Sequence, residues 1–138
     1  MTQIQRTQIE PDIVLLQISG RITLGRECQT VEWAVEGLIR DGQRKVVFDL
    51  SDLTYIDSAG IGIIVMCCGK MQAAGGELRL ASLQPKVAEL MRVTRLDTLY
   101  HFYPTAALAA ENFDISARRR RVHDHRAVRF TSSTPRSS

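Results

Sequence analysis

The chain has 138 residues, the usual size of one domain, and 44% of them are apolar but only 6% aromatic, so aliphatic side chains must fill the core. The longest apolar stretch, Ile61 to Cys68 with Gly62 inside it, falls far short of the roughly 20 residues a membrane-spanning helix needs, and MTQIQRTQIE lacks the basic-then-apolar layout of a secretory signal, so a cytoplasmic protein is expected. The net charge of +3 is uneven: residues 1–113 carry 11 Lys and Arg against 13 Asp and Glu, while residues 114–138 carry 7 Arg against 2 Asp, which excludes a generally basic surface and assigns the excess to a tail.

Residues 3–9 and 12–19 read as two strands around a Glu10-Pro11-Asp12 turn, with Gly20 ending the second and Arg21 to Gly25 forming a loop. Residues 26–40 read as an amphipathic helix with Cys28, Val31, Val35, Leu38 and Ile39 on one stripe, closed by Asp41-Gly42. Trp33 lies off that stripe, either against a flank of the helix or in contact with a partner. KVVFDL, 45–50, is a continuous apolar run suited to a central strand covered on both faces. A helix from Ala59 to about Ala74 follows, stopped by Gly75-Gly76, then a strand at 77–81. Pro85 opens a helix carrying Val87, Leu90 and Met91, LYHFY at 99–103 is a short strand, and Thr105 caps a last helix reaching Phe113. The order β-β-α-β-α-β-α-β-α predicts an α/β fold with a mostly parallel central sheet of about four to five strands and four helices. One domain over residues 1–113 is expected, and residues 114–138, rich in Arg with a Ser/Thr/Pro end, have the composition of a disordered tail.

The informative stretch is TYIDSAGIGIIV, residues 54–65. Asp57 and Ser58 stand where a strand pattern gives way to a helical one, and Ser58 falls at the expected N-cap. Capping accounts for the serine but not for Gly60 and Gly62, each of which costs the helix roughly 1 kcal/mol against alanine. Small residues there would expose backbone and let another molecule reach the hydroxyl. The helix is apolar nearly all round. Ile61, Ile64, Val65 and Cys68 form an inward stripe, which leaves Ile63, Met66 and Cys67 as the expected exposed side and a surface for a partner.

These residues resemble the STAS domain, in particular the bacterial anti-sigma-factor antagonists. The resemblance rests on D-S-A-G-I-G after an apolar strand ending D-L-S, on G-G-E-L-R-L at 75–80 followed by a P-x-V-x-x-L helix, and on GRIT at 20–23; it covers about residues 3–113. It implies a STAS fold and a protein that binds an anti-sigma factor, itself a serine kinase with a histidine-kinase-like ATPase fold, and so frees a sigma factor. It implies that phosphorylation of Ser58 ends that binding, with a serine phosphatase as a possible further partner. Asp57, Gly60 and Gly62 match the acid and glycines around the acceptor, and Ala59 stands where many members carry a second serine. With Ile63, Met66 and Cys67, and with Arg21, Thr23 and Leu24 from the adjacent loop, these form the expected partner-binding set. The alternative is a STAS subunit docking on the ATPase of a lipid-transport ABC complex; a scaffold subunit of a stress-sensing assembly usually carries an additional sensory domain.

Enzyme readings lack their parts. Ile56 stands where a G-x-S-x-G elbow needs glycine, and His101 has no evident charge partner. No P-loop occurs, and Gly60 and Gly62 lack the third glycine of a dinucleotide fingerprint. Cys28, Cys67 and Cys68 form no C-x-x-C and have no His at ligand spacing, so reduced thiols and no metal or cofactor are expected. Nucleic acid is not an expected partner, although the Arg118–Arg121 run could touch a polyanion by counterion release.

Overall fold

The computed structural model describes residues 2–96, 100, 102–111 and 113. The expected tail at 114–138 and His101 lie outside the described residues, as does part of the expected strand at 99–103. In chain order the elements are β1 (Thr2–Glu10), β2 (Ile13–Ile22), α1 (Arg26–Arg40), β3 (Lys45–Asp49), β4 (Leu53–Ile56), α2 (Ser58–Ala73), β5 (Glu77–Ala81), α3 (Pro85–Val93), β6 (Phe102–Tyr103) and α4 (Ala106–Ala110). The sheet has six strands in the order β1-β2-β3-β5-β6, with β4 attached to β2. Among the described residues only the β1–β2 pair is antiparallel. The α/β class and the predominantly parallel sheet agree with the sequence reading, but the sheet has six strands instead of the expected four to five, because β4 pairs with the end of β2.

Two differences bear on the site. The second strand does not stop at Gly20. It continues to Ile22, because residues 20–22 find a new partner in β4 after β3 has left at Gln17–Asp49. β2 is therefore a fork, paired with β3 along its first half and β4 along its second. The loop expected over 21–25 shrinks to 23–25. At the other end the last helix stops at Ala110 instead of running to Phe113; Thr105 caps it, its hydroxyl accepting from Leu108 N at 3.1 Å.

Alternation along the strands divides the interior. Val14, Leu16, Val46, Phe48, Leu78 and Leu80 join the core under α1, α2 and α3. Ile13, Val47 and Ala81 point the other way, into a smaller cluster with Ala109 and Phe113. Arg79 also faces that side and is only 4% exposed. Its guanidinium donates to the carbonyls of Ala109 (2.9 Å) and Glu111 (2.6 Å), pairs with Glu77 at 2.9 Å, and lies 3.9 Å from the centroid of the Phe113 ring. A buried cation is tolerable only when its donors are used; here they go to the carbonyls left over at the end of α4. Among the described residues no helix is long and apolar enough to cross a membrane.

Arg79→Met is expected to lower the unfolding free energy by about 1–3 kcal/mol, since buried carbonyls lose their donor, and to speed amide exchange in α4. Denaturant titration with hydrogen exchange checks it; wild-type values for both would contradict the clamp.

Candidate functional site

The turn from β4 into α2 uses every polar group of Asp57. Its amide donates to Ile22 O (3.3 Å) and its carbonyl accepts from Ile61 N (3.0 Å). One carboxylate oxygen accepts from Gly60 N at 2.8 Å and the other from Leu24 N at 3.1 Å. The helix cap is therefore Asp57 and not Ser58 as expected. Both residue types cap well, and the extended backbone of Asp57 (φ −103°, ψ −176°) aims its carboxylate at the first turn. Amide donors, chiefly Gly60 and then Leu24, hold the Asp57 carboxyl below the usual aspartate range. A depressed folded value contributes stability above the unfolded pKa and loses it only as the pH falls through the folded one, so the contact persists at neutral and mildly acidic pH.

The shift of the cap by one residue leaves Ser58 as the first residue of the helix and exposed. Its hydroxyl has no hydrogen-bond partner among the described residues. Ala59 beside it is half-buried.

The two glycines have different causes. A Cβ on Gly60 would sit 2.3 Å from Ile22 O and 2.7 Å from the Ile56 side chain, so Gly60 is buried by close approach of helix and strand and does not keep the helix mouth open. A Cβ on Gly62 would meet nothing within 4 Å, and Gly62 is exposed one turn beyond Ser58.

The outer side of α2 also needs correction. Ile63 and Cys67, expected on the exposed side, are buried. They turn toward α1, which Lys70 ties to α2 through Glu32 (2.8 Å) and Glu36 (2.5 Å). Burial pushes the Cys67 thiol up to about 12. Val65 is half-buried, while Ile61, Ile64 and Cys68 are buried as expected. The exposed stripe is Ser58, Gly62, Met66 and Gly69.

The 23–25 loop lies beside this stripe. Thr23 bonds Glu27 through both its amide (3.1 Å) and its hydroxyl. The hydroxyl contact is the largest cause that lowers the Glu27 carboxyl to about 2. Leu24 is 80% exposed. Arg21 is on β2 opposite Tyr55, its guanidinium 5.9 Å from the centroid of that ring. Trp33 stands exposed on α1, not covered by a flank. Sequence reasoning missed Glu27; its only signal is the four-residue spacing from Thr23. Neither of two open grooves, one over Gln17 and Asp49 and one between Lys45 and α4, is lined by Asp57 or Ser58. The site is an open surface, suited to contact with a macromolecule.

The STAS domain family model matches residues 5–109, and the chain belongs to that family. A relative in Thermotoga maritima, provisionally named an anti-sigma factor antagonist, is 28% identical over 104 residues, covering 75% of this chain and 92% of the relative. A crystal structure from Thermotoga maritima, of a protein also provisionally described as an anti-sigma factor antagonist, superposes with TM-score 0.72 at 26% identity, covering 80% of this chain and 94% of that one. The phosphorylated form of the Bacillus cell-fate determinant SpoIIAA shares the fold at TM-score 0.61 and 16% identity, covering 78% and 96%.

Gly60→Ala is expected to destabilise the fold by about 1–3 kcal/mol through overpacking against backbone. Gly62→Ala is expected to stabilise it by roughly 0.5–1 kcal/mol, because alanine is the better helix former where there is room. Parallel denaturation curves check the pair; equal effects would remove the distinction.

Proposed function

We propose that this protein is an anti-sigma-factor antagonist whose binding is switched by phosphorylation of Ser58. The observation that carries the reading is the exposed Ser58 hydroxyl, left unspent because Asp57 caps the helix. Unmodified, the chain binds an anti-sigma factor that is also a serine kinase with a histidine-kinase-like ATPase fold, and so frees a sigma factor in the cytoplasm. The kinase transfers the γ-phosphoryl group of ATP to Ser58 Oγ; ADP leaves and the hydroxyl proton is lost. A serine phosphatase reverses the mark. The names of the relatives support the first half of this reading and the geometry supports the second.

The physics of the mark acts differently inside and outside the molecule. A phosphate adds about −1.5 to −2 charge. Within the chain it meets a helix N-terminus, where an anion is stabilised, so the fold survives. Across an interface matched to a neutral hydroxyl it brings repulsion and desolvation, and about 3 kcal/mol of these weakens binding more than a hundredfold.

Purified protein incubated with ATP and the histidine-kinase-like anti-sigma factors of its source organism is expected to take phosphate on Ser58, read by mass spectrometry. Ser58→Ala is expected to bind the same partner without taking phosphate, and Ser58→Asp to bind at least about tenfold more weakly in titration calorimetry. Phosphate on another residue, or wild-type affinity in Ser58→Asp, would overturn the reading.

A further inference from the structure

We infer that Asp57 is a positioning residue that presents Leu24 as an apolar anchor for the partner, and that a phosphate on Ser58 releases it. The inference rests on the reading of Ser58 as phosphoacceptor.

A leucine side chain is strongly favoured away from water, yet Leu24 is 80% exposed. Its backbone is tied down on both sides. Thr23 is bonded to Glu27, Leu24 N to the Asp57 carboxylate at 3.1 Å, and Gly25 O accepts from Gln29 N at 3.1 Å as α1 begins. Much of the entropy of ordering this loop is therefore lost before any partner arrives, the condition under which an exposed apolar group adds most to binding. The occupant that fits is a protein surface with an apolar socket beside a site for a neutral hydroxyl. An anti-sigma factor that docks on Ser58 must pass this leucine, because Leu24 is bonded to the residue next to the acceptor.

The carboxylate that holds Leu24 is also the helix cap. A phosphate on Ser58, at the first helical position, competes for the amides of the same turn and repels its neighbour. The two anions stand side by side on one short turn, and the repulsion between them acts on the carboxylate that also bonds Leu24 N. As Asp57 withdraws, Leu24 N loses its acceptor and the anchor is no longer held in place. The mark then acts twice, by charge at the serine and by loosening the leucine.

The test uses the full chain and needs no kinase for its first arm. Phosphoserine is incorporated at position 58 during synthesis, and the Leu24 amide proton is followed by NMR in the unmodified chain, the phosphoserine chain, Asp57→Asn, and both combined. The carboxylate-bonded amide is expected downfield in the unmodified chain and upfield in both single forms, with little further change in the combined form. Asn retains a carbonyl to accept from Gly60 N, so its cap and denaturation midpoint check that the chain is folded. An unmoved Leu24 resonance in the phosphoserine chain, or fully additive shifts, would overturn the release step. In the second arm, Leu24→Ser is expected to weaken binding to the anti-sigma factor by at least about tenfold; wild-type affinity would overturn the anchor. Failure to find any kinase for Ser58 would sink the preceding proposal while leaving the first arm readable.

Discussion

The first turn of α2 rests against the backbone at the end of β2. A methyl group on Gly60 would overlap the Ile22 carbonyl, and the same carbonyl receives the Asp57 amide. This close approach fixes Asp57 against the sheet. Fixed there, its carboxylate reaches the Gly60 amide and becomes the cap, which makes Ser58 the first helical residue instead of the capping one. A serine at the cap would have had its hydroxyl turned inward on the helix's own amides; one residue later the hydroxyl is free. The accessible alcohol is thus a consequence of a packing contact that lies out of sight beneath it.

The rest of α2 forms a rigid support. Ile61, Ile63, Ile64, Cys67, Cys68 and Met71 are all buried between the sheet and α1, and Lys70 fastens the two helices near the far end. Interiors packed to this degree move little when one exposed group changes. The one part of the site held by a few hydrogen bonds is the 23–25 loop. A structural response to a change at Ser58 would therefore fall on that loop, through the carboxylate of the neighbouring Asp57 that bonds Leu24 N.

Apart from β4, the order of helices and strands was legible because apolar runs and turn residues alternate clearly along the chain, and the Asp57-Ser58 region stood out because two glycines sit where a helix wants alanine. Other features were not legible for physical reasons. β4 is four residues long with no alternation to mark it, and it exists as a strand because β2 extends past Gly20 to meet it. The sequence puts the cap at Ser58, one residue too late, since either side chain serves and the choice follows from the extended Asp57 backbone that aims its carboxylate at Gly60 N. The exposed face of α2 was misread at Ile63 and Cys67 because a helix apolar all round has no polar stripe to phase it; Gly62 and Gly69 mark that face, but glycine is silent on a hydrophobicity scale. Arg79 looked like an ordinary strand residue, and only its burial against α4 gives it a role.

Several charges of the folded part are neutralised by opposite charges: Lys45 by Asp12, Lys70 by two glutamates, Arg79 by Glu77, Arg6 by Asp41. Asp57 has no ion pair among the described residues and is held by amide dipoles alone. Dipoles can steady an anion, but they leave its net charge in place. A phosphate added next to it would therefore raise the negative charge at the helix mouth with no cation among the described residues bonded to Asp57 to offset it. The fold tolerates that increase because the helix N-terminus favours anions, whereas a docked protein must bury or face it. The same local electrostatics that would spare the fold would make a phosphate on Ser58 costly at an interface, which is the condition a charge-operated switch between two proteins has to meet.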